Sequence, residues 1–497
     1  MLKIIIFISS AVYPVLAASL IPTMLYGFYE QDYFYANSLV ILLVSTLVFS
    51  FLIRKNILPT RKLTTIQGFG AVGISWILIS AYGTIPYLLS NINLSFIDIL
   101  FETISGFTTT GSSILSDIES VSASLLIWRS TTQWLGGMGI VVLTITVLPL
   151  LGSGGINLFK AESPGPTADR LTPRFQDTAK LLWVVYSGLT LLETVMLYFS
   201  GLSFYSALNH SLTTLSTGGF SVLNSSVAEM AQSAKWVIIL FMFIAGISFT
   251  LIFKSFKNFK SLVESTEFKF YLFIIISSSL IFIPKTLSIS ETYLEAINSA
   301  LFTSLTLITT TGFTNIDYEF WSVDYRAFIL GLMFLGGMAG STAGGLKTIR
   351  VIALLKSVRN EIRKILYPNA IFKIRMSKSA LPEKMIESVQ TFFILYVAIF
   401  VLGTFALSAT TSAAGLNLSF EGVLSSVASA MNNIGPGLNE VGPIRNFAFL
   451  DSPSKLVICF LMIVGRLEIF PIAILFYKKT ELQPLYHVGA LSPPKDH

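Results

Sequence analysis

Ten apolar stretches, each near the length that carries a helix across a bilayer, leave this chain few ways to fold. They lie near residues 3–28, 33–53, 67–90, 124–150, 180–200, 235–253, 269–289, 326–347, 386–410 and 455–477. A membrane-crossing helix needs about 20 apolar residues. Only 12% of the residues are charged and mean hydropathy is +0.72, against roughly 25% charged in soluble domains. The expected class is an all-α integral membrane protein of about ten transmembrane helices. Met1-Leu2-Lys3 followed by apolar residues resembles a secretory signal. The apolar run continues through Leu20, Ile21 and Met24-Leu25, so a retained helix is expected, kinked at Pro14.

Charge placement orients the spans. With the amino terminus inside, inner segments hold 26 of the 33 Lys and Arg residues, ten of them within 346–384. The outer side and the spans hold only Arg129, Lys235, Lys285, Arg326, Arg445, Lys455 and Arg466. That asymmetry follows the positive-inside rule, and ten spans put both termini in the cytoplasm. The net charge of +6 thus describes topology and contact with lipid headgroups, not nucleic-acid binding. Cys459 is the sole cysteine and the three histidines are scattered, which leaves no disulfide framework and no metal cluster. No nucleophile, base or phosphate-loop signature converges in any loop, which excludes the usual enzyme classes.

Four times, a helix-length apolar stretch leads into a shorter apolar segment, beginning near Phe96, Phe204, Tyr293 and Phe420, that ends at a small polar tract with a glycine. The tracts are Thr108-Thr109-Thr110-Gly111, Leu215-Ser216-Thr217-Gly218, Thr309-Thr310-Thr311-Gly312 and Asn432-Asn433-Ile434-Gly435, their glycines 107, 94 and 123 residues apart. Four irregular backbone segments around one axis can replace the water shell of a cation with carbonyl oxygens. The short helices are expected to re-enter the membrane, their irregular ends facing a watery cavity. The bland alternative is that Thr-Gly tracts cap helices or ease helix contacts; four matching tracts favour a filter. Each unit (helix, pore helix, filter, helix) has two full spans and keeps the same orientation, unlike the odd-numbered units of inverted-repeat carriers.

Other residues point to a gate. Gly331, Gly336, Gly337, Gly340, Gly344 and Gly345 fall within fifteen residues, beside Ser341, Thr342 and Ala343. Each glycine costs a helix about 1 kcal/mol relative to alanine, so the helix is expected to break there; close packing through small residues is the alternative. Lys347 either projects towards the pore or begins the inner basic loop. Arg466, eleven residues into the last span, sits where a lone cation costs at least ~2.5–3.5 kcal/mol. It stands either under the filter as a barrier or in an interhelical ion pair. Glu102 either lends negative potential to the filter mouth or hydrogen-bonds to backbone. Asp98, Asp117, Glu119, Asp317, Glu319 and Asp324 are candidates for an attractive outer vestibule.

With these tracts stand Phe159-Lys160-Ala161-Glu162-Ser163-Pro164-Gly165-Pro166, Thr172-Pro173-Arg174, Ala339-Gly340-Ser341-Thr342-Ala343-Gly344-Gly345-Leu346-Lys347-Thr348 and Gly465-Arg466-Leu467-Glu468-Ile469-Phe470-Pro471. In this set the chain resembles the Trk/Ktr/HKT superfamily of potassium transporters, and within it the TrkH type, over nearly its whole length. The resemblance implies two additional N-terminal helices in 1–63, pore repeats at 64–153, 154–256 and 257–350 (the last with an intramembrane gating loop), a basic cytoplasmic loop at 351–385, and a fourth repeat with a cytoplasmic tail at 386–497. It implies potassium uptake through a filter of Thr109, Thr110, Gly111, Ser216, Thr217, Gly218, Thr310, Thr311, Gly312, Asn433, Ile434 and Gly435. It further implies a gate of Gly336, Gly337, Gly340, Ser341, Thr342, Gly344, Gly345, Lys347 and Arg466. Potassium is then the transported ion, with no tightly bound cofactor. A homodimer with one pore per protomer, a bacterial inner-membrane location and a cytosolic nucleotide-binding ring of the TrkA type are also implied. This chain has no dinucleotide fingerprint of its own, so any nucleotide binds the separate subunit.

Overall fold

The computed structural model describes residues 2–56, 65–147, 175–370, 372–376 and 379–476. Its polarity is that of a membrane protein. Phe49, Phe51, Leu191, Phe199, Phe273, Leu280, Leu402 and Phe405 face outward, while threonines, serines and asparagines of the glycine tracts are buried.

Six stretches have the length and hydropathy to cross a bilayer: Val12–Tyr29, Tyr33–Asn56, Val72–Leu89, Lys180–Phe199, Thr266–Leu287 and Glu383–Ala413. A seventh is the pair Gln232–Ala245 and Phe249–Lys257, bent by 96°. The expected stretch at 124–150 is a helix over Ala123–Val147. Two expected spans are not single helices. Val323–Leu332 gives way to non-helical backbone until Thr348, and Ser452–Arg466 stops before a short helix resumes at Phe470. At the N-terminus, Pro14 lies inside the helix Leu2–Ser19 and the interruption falls at Leu20, just before Pro22. The second position of a new helix needs no amide donor, which suits Pro22.

Four short helices, Phe96–Phe107, Phe204–Leu215, Tyr293–Ile308 and Phe420–Asn432, lie between longer ones. At 12 to 16 residues they fall short of a crossing. All four start alike. Ser95, Ser203, Thr292 and Ser419 accept a hydrogen bond from the backbone N–H three residues on, at Asp98, Ser206, Glu295 and Gly422. Each such cap contributes about 1 kcal/mol and fixes where the helix begins. The first short helix packs on Ser452–Arg466, the second on Ala123–Val147 and the third on Gln232–Ala245, so each leans on the helix that follows the preceding tract. Thr348–Leu366 and an antiparallel strand pair, Arg375–Met376 with Ser379–Ala380, pack against the start of the helix Glu383–Ala413.

Candidate functional site: a ring of four glycine segments

Each short helix ends in the same cap. The N–H groups of Thr110, Gly218, Thr311 and Ile434 donate to the carbonyls of Ser105, Thr213, Thr306 and Ser429, five residues back, at 2.9–3.0 Å. The residue before each donor, Thr109, Thr217, Thr310 or Asn433, has φ between +53° and +55°. This is a Schellman cap whose left-handed position ordinarily belongs to glycine. Threonine there is strained by about 1–2 kcal/mol, and such strain persists only where the surroundings over-determine it. Capping therefore does not account for the glycines, which lie two residues further along, at Gly111, Gly219, Gly312 and Gly435, with φ of 83°, 75°, 79° and 108°.

This register corrects one reading. In the second segment Gly219, not Gly218, matches the other glycines, and Gly218 matches Thr110, Thr311 and Ile434. The sequence offers two adjacent glycines, and only backbone conformation tells them apart.

The glycines are required because the segments touch. A Cβ on Gly111 would land on the carbonyl oxygen of Gly218, one on Gly219 on that of Thr311, and one on Gly312 on that of Ile434; a Cβ on Gly435 would come 2.9 Å from that of Thr110. Each segment thus presents its glycine to the carbonyl of the next, and the fourth closes on the first. Hydroxyls brace the ring. Thr108 and Thr110 pair at 2.7 Å, as do Thr309 and Thr311. Ser112 and Ser429 both donate to the Gly435 carbonyl, at 2.9 and 2.8 Å. Asn433 reaches across to the Thr110 hydroxyl at 2.9 Å and to the Met462 carbonyl at 3.0 Å. The four segments that hold the twelve expected residues meet in this ring, through Gly111, Gly218, Thr311, Gly312, Ile434, Gly435 and Thr110 of the expected set and through Gly219. Four helix C-termini, each carrying about half a negative charge, end at this ring, an arrangement that can hold a dehydrated cation.

The predicted break in the third post-segment helix is present, and the loop it releases lies against those C-termini. The Gly344 N–H donates to the Thr310 hydroxyl at 2.6 Å and the Thr342 hydroxyl to the Leu215 carbonyl at 2.9 Å. A Cβ on Gly344 would meet the Asn432 carbonyl. Glu267 anchors the loop from outside, accepting from Ala339 N–H at 2.7 Å and the Thr348 hydroxyl at 2.9 Å. Arg466 joins it from the fourth repeat: Nη1 donates to the Thr342 carbonyl at 2.9 Å and Nη2 to the Gly136 carbonyl at 2.7 Å. No carboxylate pairs with Arg466 among the described residues; Glu468 pairs with Arg350 instead. The chain turns directly after Arg466, with Glu468 and Ile469 at φ of 56° and 69°. Lys347 folds back onto the Ala343 carbonyl and immediately precedes the helix Thr348–Leu366.

Glu102 proves to be scaffold. It is fully buried and accepts from Arg129 at 2.7 Å, Ser113 at 3.0 Å and Ile114 N–H at 2.9 Å. Of the acids expected in an outer vestibule, Asp98 pairs with Lys455 at 2.6 Å and Glu319 with Arg445 at 3.0 Å. In the loop after the first segment the Asn224 amide holds the Asp117 carboxyl below the usual carboxylate range. Sequence reasoning did not single out Gln133, Glu267 or Tyr396, whose hydroxyl holds the Asn432 side chain at 2.7 Å. The motifs at 159–166 and 172–174 and the tail beyond 476 lie outside the described residues.

A family model described as TrkH, cation transport protein, matches residues 39–486. This chain belongs to the TrkH family. The Trk system potassium uptake protein TrkH of Salmonella typhimurium is 33% identical over 431 residues, covering 84% of this chain and 87% of that one. The TrkG protein of Escherichia coli is 31% identical over 470 residues, covering 92% and 94%. The crystal structure of the potassium transporter TrkH from Vibrio parahaemolyticus superposes with a TM-score of 0.84 at 29% identity, covering 96% of this chain and 99% of that one. TrkH-family relatives are membrane transport proteins, not enzymes, and the all-helical membrane architecture read from the sequence agrees with them.

Proposed function

We propose that this protein takes up potassium through the ring, with Thr109, Thr110, Gly111, Ser216, Thr217, Gly218, Thr310, Thr311, Gly312, Asn433, Ile434 and Gly435 as a channel-like filter, to which Gly219 is added. The head-to-tail closure of four segments at the C-termini of four short helices carries this reading. Four helix C-termini converging on one ring of backbone support it, because their partial negative charge and carbonyl oxygens can replace a cation's water shell. The potassium uptake named for the relatives supports the cargo. A potential of 100 mV supplies about 2.3 kcal/mol per charge, enough to drive accumulation without a second ion. The loop of Gly336, Gly337, Gly340, Ser341, Thr342, Gly344, Gly345 and Lys347, held by Arg466, is the gate.

The finer reading keeps both termini in the cytoplasm of a bacterial inner membrane, the six-part division beginning with 1–63, a homodimer with one pore per protomer, and a TrkA-type nucleotide-binding ring against the basic inner face. Growth of an uptake-deficient host at low potassium, with and without the cytosolic partner, tests it. Potassium-dependent rescue is expected, and no rescue in either case would sink it. Gly111→Ser places a side chain against the Gly218 carbonyl and is expected to raise sodium permeation relative to potassium about tenfold, the effect of roughly one lost polar contact. An unchanged ratio in a sodium-versus-potassium flux assay would remove Gly111 from the filter.

A coupled carrier is the second reading, and one observation favours it. Glu193 is buried beside Thr214, with no cation in ion-pair distance among the described residues. If Glu193 were the coupling site, Glu193→Gln would uncouple potassium uptake from proton flux. Uptake that stays proton-linked in that variant eliminates it. Glu102 is committed to Arg129 and is no longer a candidate.

A further inference from the structure

The second segment is built differently from the other three. Where they carry Thr110, Thr311 and Ile434, it carries Gly218, followed at once by Gly219. Two successive glycines hold no conformation unaided, because neither has a Cβ to restrict it. The helix Ala123–Val147 makes up the deficit. Gln133 is fully buried and its Nε2 donates to the Gly218 carbonyl at 2.6 Å, while its Oε1 accepts from Phe220 N–H at 3.0 Å. One turn earlier, Arg129 Nη1 donates to the Ser221 carbonyl at 2.8 Å and its guanidinium lies 3.5 Å over the Phe220 ring. A Cβ built on Gly218 would run into the Gln133 amide. That amide therefore fills the place the Thr side chain takes in the first and third segments. Among the described residues, no side chain donates to the corresponding carbonyls of Thr110, Thr311 or Ile434. A carbonyl has two lone pairs, and Gln133 occupies one at this quarter of the ring.

We propose that Gln133 is a specificity-determining positioning residue: it stands in, from another helix, for the missing side chain of the second segment, and so sets how strictly the ring prefers potassium to sodium. This rests on the filter reading above. Gln133 tests it better than Arg129, whose loss would strand the buried Glu102 charge and unfold the protein before selectivity could be read.

The experiment measures rubidium and sodium uptake into proteoliposomes of the purified full-length protein, with matched protein content. Gln133→Ala is expected to lower the rubidium-to-sodium ratio about tenfold, the scale of one net hydrogen bond. Gly218→Thr alone collides with Gln133 and is expected to lose transport. The double variant Gln133→Ala with Gly218→Thr restores a side chain in the vacated space and is expected to recover the ratio to within about threefold of wild type. A residue needed only for folding would change protein yield and thermal stability without this reciprocal rescue. A wild-type ratio in well-folded Gln133→Ala, or no recovery in the double variant, overturns the proposal. Wild-type protein that does not prefer rubidium would instead overturn the filter reading itself.

Discussion

Gly312→Ala is expected to reduce potassium uptake at least a hundredfold while leaving the protein in the membrane at near-normal amounts. The added methyl has nowhere to go: it would sit on the Ile434 carbonyl, with the rigid Pro436 ring 3.0 Å away, at a residue whose φ is 79°. Left-handed backbone alone costs alanine about 1–2 kcal/mol, and displacing a ring carbonyl adds to it; a hundredfold loss corresponds to about 2.7 kcal/mol. Gly331→Ala is the matched control in the same repeat. A Cβ there meets nothing within 4 Å, so uptake is expected to stay within about twofold of wild type. Rubidium tracer uptake with quantitative immunoblotting separates transport from abundance. Comparable activity in the two variants would contradict the ring geometry.

Arg466→Ala is expected to raise basal flux in the absence of any cytosolic partner, by about tenfold or more. The side chain bridges two carbonyls from different segments, Thr342 of the loop and Gly136 behind the first glycine segment, and under the proposed gate it sets a fixed positive charge in the path of the cation. Removing it frees the loop and lifts that repulsion together. Lysine is a poor replacement, because a single ammonium cannot span both carbonyls as a planar fork does, so Arg466→Lys is expected to leak at an intermediate level. Deletion of residues 340–344 should move flux in the same direction. Unchanged or lower flux from membrane-inserted Arg466→Ala protein would argue that the arginine serves packing alone.

Much of this architecture was legible because local rules and membrane rules agree. The starts of the four short helices were readable at Phe96, Phe204, Tyr293 and Phe420, each directly after a Ser or Thr that caps it. The break in the third repeat was readable from glycine density. The breaks at Gly246 and after Arg466 were not singled out, although Pro471 lies five residues beyond Arg466 and proline commonly marks a helix boundary. Tertiary contacts accompany both: the Gly246 carbonyl accepts from Met338 N–H at 2.9 Å, and a Cβ on Gly465 would strike the Met431 carbonyl. The second segment was misread by one residue because a glycine pair carries no register. Arg129 and Gln133 were opaque for a different reason. Their partners are backbone atoms about ninety residues away, at Ser221 and Gly218, and no pattern along the chain marks such a bond.

The closure of the fourth segment on the first joins residues 323 apart, with the Ser112 hydroxyl on the Gly435 carbonyl. Every earlier stage of synthesis leaves the circle open on one side, so an unfinished chain in the bilayer has no complete path to offer. With the ring as the conduit proposed above, that conduit is complete only once the last quarter has been made, and Arg466, its proposed barrier, arrives with that same quarter.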